Sequence, residues 1–345
     1  MRSIPALFSF LLLIAPALHA AQAVTSGAGH DYQPAILRAA DGSLLLAFER
    51  LNASFSGDLW LSRSTDDGAS WSAPAPVIGS SANERHPALL QLGDGSFVLF
   101  YLKGTGATSS YRLYRATSAD GQSFAEQGAL NLGWASGGEV NPHVIRHPDG
   151  TLTLSYQRLS GGSYVAQSGD NGLSWDQQKT VIAADGLLPR IAFRPSDGRY
   201  LATYQVGPSP LTLYSKTTTD LRNWPAAPDL LADGADSHDS LPVLMPDGAF
   251  VVFYIAAVDG GPFDVFSRRS GDGTTYEAPW PQVQSPDALD VEPHPLVGDS
   301  AGTVQLYWGR SPAASQDYDI WRKAAAPVRD AIFRDGLDAA APGNG

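Results

Sequence analysis

The 345-residue chain carries 35 Asp and Glu against 23 Lys and Arg, a formal charge of −12 that makes nucleic acid and anionic membrane poor partners. It has no cysteine, which excludes disulfides and a lipidated cysteine anchor. A hydrophobic share of 43% suffices for a core, and 35 Gly with 25 Pro point to many tight turns rather than to long helices.

Residues 1–23 read as a secretory leader, with Arg2 near the start, an apolar run from Ala6 to Ala15 and Ala21-Gln22-Ala23 as a small-x-small cleavage site. The leader holds one Arg and no acid, so its removal takes the charge from −12 to −13. Its apolar run is short for a membrane span and no later run qualifies, so no membrane insertion is expected and the mature protein is expected to be secreted or periplasmic.

From there a unit of about fifty residues recurs six times: a proline, a short apolar strand, an Asp-Gly turn and a second apolar strand. The copies begin Pro34-Ala35-Ile36-Leu37, Pro87-Ala88-Leu89-Leu90, Pro142-His143-Val144-Ile145, Pro189-Arg190-Ile191-Ala192, Pro242-Val243-Leu244-Met245 and Pro293-His294-Pro295-Leu296. Their turns are Asp41-Gly42, Asp94-Gly95, Asp149-Gly150, Asp197-Gly198, Asp247-Gly248 and a stretched Asp299 to Gly302. Asp-Gly between two apolar runs is a hairpin signal, because the tight turn needs positive φ that these residues tolerate. A third strand and a second turn follow in each unit. Six such units predict an all-β, six-bladed β-propeller of four-stranded antiparallel blades over residues 24–323, with a loosely ordered tail over 324–345. A closed ring hides its sheet edges, so a monomer is expected.

The second turns carry their own pattern. Ser64-Thr65-Asp66-Asp67-Gly68-Ala69-Ser70-Trp71 and Ser168-Gly169-Asp170-Asn171-Gly172-Leu173-Ser174-Trp175 both read Ser-x-Asp-x-Gly-x-x-Trp. The Ser and Asp can bond the turn's own amides, Gly takes positive φ and Trp folds back as an apolar plug, so these aspartates are read as structural. Degenerate copies are read at Thr117 to Phe124, with Ala119 in place of Asp, at Thr217 to Trp224, with Thr219 and Leu221 in place of Asp and Gly, and, one residue short, at Ser270 to Tyr276. These turns resemble the Asp boxes, or BNR repeats, of the sialidase superfamily. The resemblance covers nearly the whole mature chain and implies the same six-bladed fold.

Ring closure follows from the spacing. An outer-strand Val77, Val181, Leu231 or Val283 precedes the next unit's proline by about ten residues, and counting back from Pro34 lands on Val24. Val24 to Ser26 are therefore expected to complete the last blade, whose third strand ends near Ile320 to Lys323. The alternative donor is Ile332-Phe333.

Residues just before each proline should converge on one funnel, the default site of a propeller. They include His30, Asp31 and Gln33, then Glu84 and His86, then Glu139 and Asn141, then Asp185 with Arg190, then His238 and Asp239, and finally Asp290, Glu292 and His294. Several carboxylates around one funnel suit glycoside hydrolysis, where one acid protonates the leaving oxygen and another acts as nucleophile or activates water. The expected catalytic carboxylates are Glu84, Glu139, Asp239 and Glu292, with Glu139 and Glu292 favoured because they come from opposite or nearly opposite blades. The expected substrate contacts are Asp31, His86, Asn141, Arg190, His238 and His294, joined from the ends of the second strands by Arg50, Arg158 and Arg310. Glu49 and Lys103 stand at the same second-strand ends. No metal-ligand spacing such as His-Glu-x-x-His occurs, and neither metal nor other cofactor is expected.

Against the family pattern, Glu49 and Arg50 carry over, while two positions depart. The first-blade Arg-Ile-Pro motif, whose Arg clamps a substrate carboxylate, reads Tyr32-Gln33-Pro34, and Phe55 stands where the catalytic Asp is placed. What is left resembles relatives on this scaffold that cleave neutral sugars, such as exo-acting arabinanases. A glycan or polysaccharide is the expected partner under a glycosidase. Two other readings stay open at this point: a carbohydrate-binding or surface propeller without chemistry, and a polysaccharide lyase with a His or Tyr base and Arg190 or Arg50 holding a uronate.

Overall fold

The computed structural model describes residues 20–27, 29–232, 236–298, 303–313, 315 and 317–325. Each of the six sequence units folds as one four-stranded antiparallel sheet, and the six sheets stand around a common channel. The inner strands are His30–Arg38, Asn83–Gln91, Glu139–Arg146, Leu187–Arg194, Asp236–Leu244 and Ala288–Val297. Blade one shows the pattern that the others repeat: His30–Arg38 pairs with Leu44–Leu51, which pairs with Gly57–Ser64, which pairs with the short outer strand Ala75–Ile78. The second strands are buried along most of their length because both of their faces are covered by neighbouring blades. Leu44, Leu45, Leu46, Ala47 and Phe48 are fully buried, as are Phe250, Val251, Val252 and Phe253 in blade five.

Blade six is completed from the other end of the described chain. Gln22–Ala23 pairs with the third strand Asp319–Ala325, Val24 N donates to Ile320 O at 2.7 Å, and Ile320 N donates to Thr25 Oγ1 at 2.9 Å. Closure thus comes from the N-terminal segment, as the spacing predicts, with the ladder two residues earlier than Val24. Cleavage after Ala23 would leave the Val24 and Thr25 bonds and remove the Gln22–Ala23 pairing. Most of the expected leader, the alternative donor Ile332-Phe333, the turn Asp299 to Gly302 and most of the expected tail lie outside the described residues.

The second turns are staples, and more regular than their sequences. In the first, Ser64 Oγ donates to Asp66 Oδ1 at 2.8 Å and accepts the Gly68 amide at 2.8 Å, Asp66 accepts from Ser70, and Trp71 Nε1 donates back to Gly68 O. Residues 168–175 repeat these bonds. The degenerate copies need a corrected register. Ser118 and Asp120 make the same Ser-Asp bond, closing on the Gly121 amide, so Ala119 replaces nothing and the turn is one residue shorter. Likewise Asp220 takes the Asp position, its amide bonded to Thr218 Oγ1, and Trp224 Nε1 donates to Leu221 O.

Candidate active site

Each inner strand carries one bulge at the same register, for example between Tyr32 and Ala35 or between Val291 and His294. The residue inside it has a left-handed backbone in all six blades: Gln33, His86, Asn141, Leu188, Asp239 and Glu292, with φ between 48° and 55°. For Gln, Glu and Leu this conformation is uncommon and costs energy, and bulges of this kind re-aim side chains beside functional sites. Proline follows in five blades because a bulge leaves its missing N–H without consequence. In blade five Ser240 holds that place, so the register of that unit is two residues earlier than its Pro242 suggests.

The neighbouring second strand holds several of these bulges. Glu49, Gln157 and Gln205 sit at equivalent positions, opposite the residue that precedes each blade's bulge. Each accepts the backbone N–H of the next blade's left-handed residue: His86 N to Glu49 Oε2, Leu188 N to Gln157 Oε1 and Asp239 N to Gln205 Oε1, all at 3.0 Å. Arg85 adds two bonds to Glu49 Oε1, at 2.6 and 3.0 Å. The family-like Glu49 is therefore a fully buried clasp between blades one and two.

Two residues above each bulge, the sequence-predicted acids take a different path. Asp31, Glu84, Glu139 and Asp290 lie directly across the ladder from Arg50, Lys103, Arg158 and Arg310. Cross-strand opposition makes them ion pairs. Arg50 grips Asp31 at 2.6 and 2.8 Å, Arg310 grips Asp290 at 2.6 Å, and Lys103 stands 3.3 Å from Glu84, which also accepts from Ser80. Glu139 is held between Arg112 and Arg158, each at 3.0 Å, and Arg158 stacks over Trp134. Glu139 does come from the blade opposite Glu292, but neither it nor Glu84 lines the channel cavity. Glu84 pairs with Lys103 and Glu139 with Arg112 and Arg158, as Asp31 and Asp290 pair with Arg50 and Arg310, although Glu139 keeps one buried oxygen unpartnered and burial raises its pKa.

What the bulges do bring together is a cavity of about 200 Å³ in the channel, lined among others by Gln33, His86, His143, Arg190, Asp239, Glu292 and His294. Among the expected site residues, the structure thus groups Asp239, Glu292, His86, Arg190 and His294. His238 joins at one remove, with Nδ1 3.1 Å from Asp239 Oδ2 and its ring edge-on to Phe263. Asn141 occupies its bulge but donates to Gln157 Oε1 at 2.8 Å.

Glu292 is deep in the molecule yet faces the cavity. Burial, and then the Asp239 carboxylate from the neighbouring blade, push its pKa up to about 8 against the opposing pull of Arg190. Gln33 Nε2 donates to Glu292 Oε1 at 2.9 Å. Because the two acids interact, this proton belongs to the pair as much as to Glu292. Burial and the neighbouring carboxylate both favour a proton on the pair. His238 moves up: burial lowers it, but the hydrogen bond and charge of Asp239 outweigh that. The imidazoles below stay neutral, since burial and the Arg190 charge push His143 well down and His294 to about 3. Tyr32 is raised well above the usual phenol value, first by burial and then by Glu292 and Asp239, and packs edge-on against Tyr318 at 5.1 Å.

His143, Tyr32 and Tyr318 are cavity or near-cavity residues to which sequence reasoning assigned no role, and Gln33 was placed in the funnel without one. For His143 a signal existed: Pro142-His143 and Pro293-His294 share one position in blades that stand opposite in a ring of six. Tyr318 comes from the third strand's approach, where no motif marks it. Among the described residues, no group of three or more His, Asp or Glu is placed to hold a metal ion, and no helix is long and apolar enough to cross a membrane.

Residues 18–230 match the family model of the BNR repeat-like domain. No curated protein matches the chain. Among solved structures, a protein of unknown function from Dyadobacter fermentans DSM 18053 superposes with a TM-score of 0.74 at 15% identity, covering 88% of this chain and 97% of that one. The Hadza microbial sialidase Hz136 gives 0.65 at 17% identity, covering 86% of this chain and 66% of its own. The α-L-arabinanase of Penicillium chrysogenum, solved with arabinobiose, gives 0.62 at 15% identity, with coverage of 86% and 94%. At these identities the likeness is one of fold.

Proposed function

The chain belongs to the BNR repeat-like domain family, and from that premise we propose that it is a glycoside hydrolase acting on terminal sugars of a glycan or polysaccharide. The observation that carries this reading is the acid pair of Glu292 and Asp239 lining one channel cavity, where burial and the second carboxylate raise the Glu292 pKa to about 8. Glycoside hydrolysis needs one carboxyl group as proton donor and a second, charged one. Glu292 serves as the general acid and Asp239 as the charged partner that stabilises the developing positive charge or activates water. Gln33 donates to Glu292, the Arg190 charge acts on both acids through space, and His143 and His294 line the same cavity without adding charge. The solved sialidase and arabinanase on the same scaffold raise the prior by analogy.

Two experiments test it. Mass spectrometry of products from sialylated glycans, arabinan, other neutral polysaccharides and polyuronates should show release of one monosaccharide or short unit. Glu292→Gln should then lower kcat by about 10²-fold or more while leaving saccharide affinity in place. Absence of product with every substrate class overturns the hydrolase reading, and an unsaturated product absorbing in the ultraviolet replaces it with a lyase.

A second reading, saccharide binding without turnover, is favoured by the two departures from the sialidase pattern, Tyr32 and Phe55. It requires wild type and Glu292→Gln to bind alike and neither to release product. Export of a monomeric protein to the periplasm or medium belongs to the same proposal. N-terminal sequencing of the exported protein checks the first part, and light scattering checks the second.

A further inference from the structure

We propose that Phe55 and His30 form an aromatic platform at the mouth of the channel that binds the ring face of a second sugar unit, next to the one that reaches Glu292. The inference rests on the glycan reading above and adds a subsite to it.

Phe55 is 55% exposed, more than any other Phe, Tyr or Trp among the described residues. Its backbone is left-handed, with φ of 56°, which a bulky side chain adopts only under constraint. The constraint is visible. Asn52 Oδ1 accepts the amides of Ser54 and Ser56 at 2.8 and 3.2 Å, Phe55 N donates to Asn52 O at 2.8 Å, and Asn52 N donates to Ser56 O. The loop is then fastened to blade two through Gly57 N and Asn83 Oδ1 at 2.8 Å. A closely bonded loop that presents a strained aromatic to solvent contributes little to the core.

The phenyl ring stacks on His30, with centroids 5.8 Å apart and planes 20° from parallel, and His30 Nδ1 lies 3.7 Å from Asp317. Phe55 remains mostly exposed beside this stack, with the polar atoms of His30 and Asp317 next to it. That combination suits a sugar ring, whose C–H face is apolar and whose hydroxyls point outward. His30 begins the inner strand on which Gln33 holds Glu292, three residues further on, or about 10 Å at strand rise. The platform is therefore set apart from the acid pair along the inner strand, beyond the unit that reaches Glu292. A chain end that reaches Glu292 leaves its next unit at the mouth, on the leaving-group side.

The test is isothermal titration in a Glu292→Gln background, which preserves the probes. The probes are arabino-oligosaccharides of two to four units with arabinose, and sialyllactose with sialic acid. Phe55→Ala and Phe55→Asn should weaken binding of the longer member about tenfold and leave the monosaccharide unchanged, while Phe55→Trp retains affinity. Asn tolerates the left-handed backbone, so Phe55→Asn should unfold at or above the wild-type midpoint, which separates lost binding from lost folding. Equal affinity of wild type and both truncations for the longer saccharide overturns the platform while the acid-pair reading stands. No binding of any of these saccharides, by wild type or Glu292→Gln, overturns the glycan reading and the platform with it.

Discussion

At the scale of single residues, Glu292 stands out electrostatically because two costs coincide on it: a buried position and the charge of Asp239 close by. In the folded protein its pKa is pushed up to about 8, whereas an unfolded glutamate loses its proton near the ordinary value of 4.5. In that window the folded state binds more protons, so this group's contribution to stability is fully present below the lower value and is lost as pH rises through the upper one. Denaturation midpoints should fall with rising pH across the window, and Glu292→Gln should flatten the slope. If Glu292 is the general acid, activity falls on the alkaline side near the same pH. Asp239→Asn removes a charge that raises Glu292, so that limb should move to lower pH; a limb that stays put would mean that Asp239 does not set it. Glu84 and Glu139, equally acidic in sequence, are already matched to cations. Only the ladder register separates the two groups.

At the scale of elements, the bulge with its clasp and the stapled turn explain most of the repeat. Glu49 carries two Arg85 bonds and the His86 amide with no exposed surface. Glu49→Ala leaves Arg85 and a backbone N–H unpaired, and should cost about 3–5 kcal/mol in urea denaturation. Loss of under about 1 kcal/mol would show that water replaces the carboxylate. In the stapled turn, Gly172 has φ of 79° and a Cβ there would lie 2.5 Å from Phe100 Cζ. Gly172→Ala should therefore destabilise by more than about 1 kcal/mol, without effect on saccharide binding, because the turn lies at the far end of the blade from the cavity mouth. The Ser-Asp pairs of these turns were legible where the full eight-residue pattern is present. Where the turn is one residue shorter, at Ser118 and Asp120, alignment to the long form chose the wrong register, since hydrogen-bond geometry and not sequence length defines the staple.

At the scale of the whole molecule, the ring is closed by a few residues from each end of the described chain. Thr25 is buried, and its hydroxyl takes the Ile320 amide that would otherwise be unpaired. A protein beginning at Ser26 lacks this bond, the Val24 bond and the Gln22–Ala23 ladder. It should lose about 2–4 kcal/mol relative to one beginning at Ala20, read as a lower denaturation midpoint. A protein beginning at Val24 should fall between them; identical midpoints for all three would mean that closure contributes nothing to stability. The closed ring also fixes the channel width, and with it the distance at which Asp239 and Glu292 from adjacent blades feel each other.

The sequence alone determined the number of blades, their strands and the side of ring closure, because these follow from local periodicity: apolar runs, Asp-Gly turns and a fixed spacing that any one unit displays. It also determined that polar residues gather before each proline. Which of them reach the cavity was decided by the tertiary structure alone. A strand shows a residue's neighbour along the chain but not the partner opposite it, and the side chain opposite is what turns Glu139 into half of an ion pair. The left-handed bulge then rotates Asp239 and Glu292 into the channel, where burial and the charge from the adjacent blade, which no single repeat contains, together raise the Glu292 pKa.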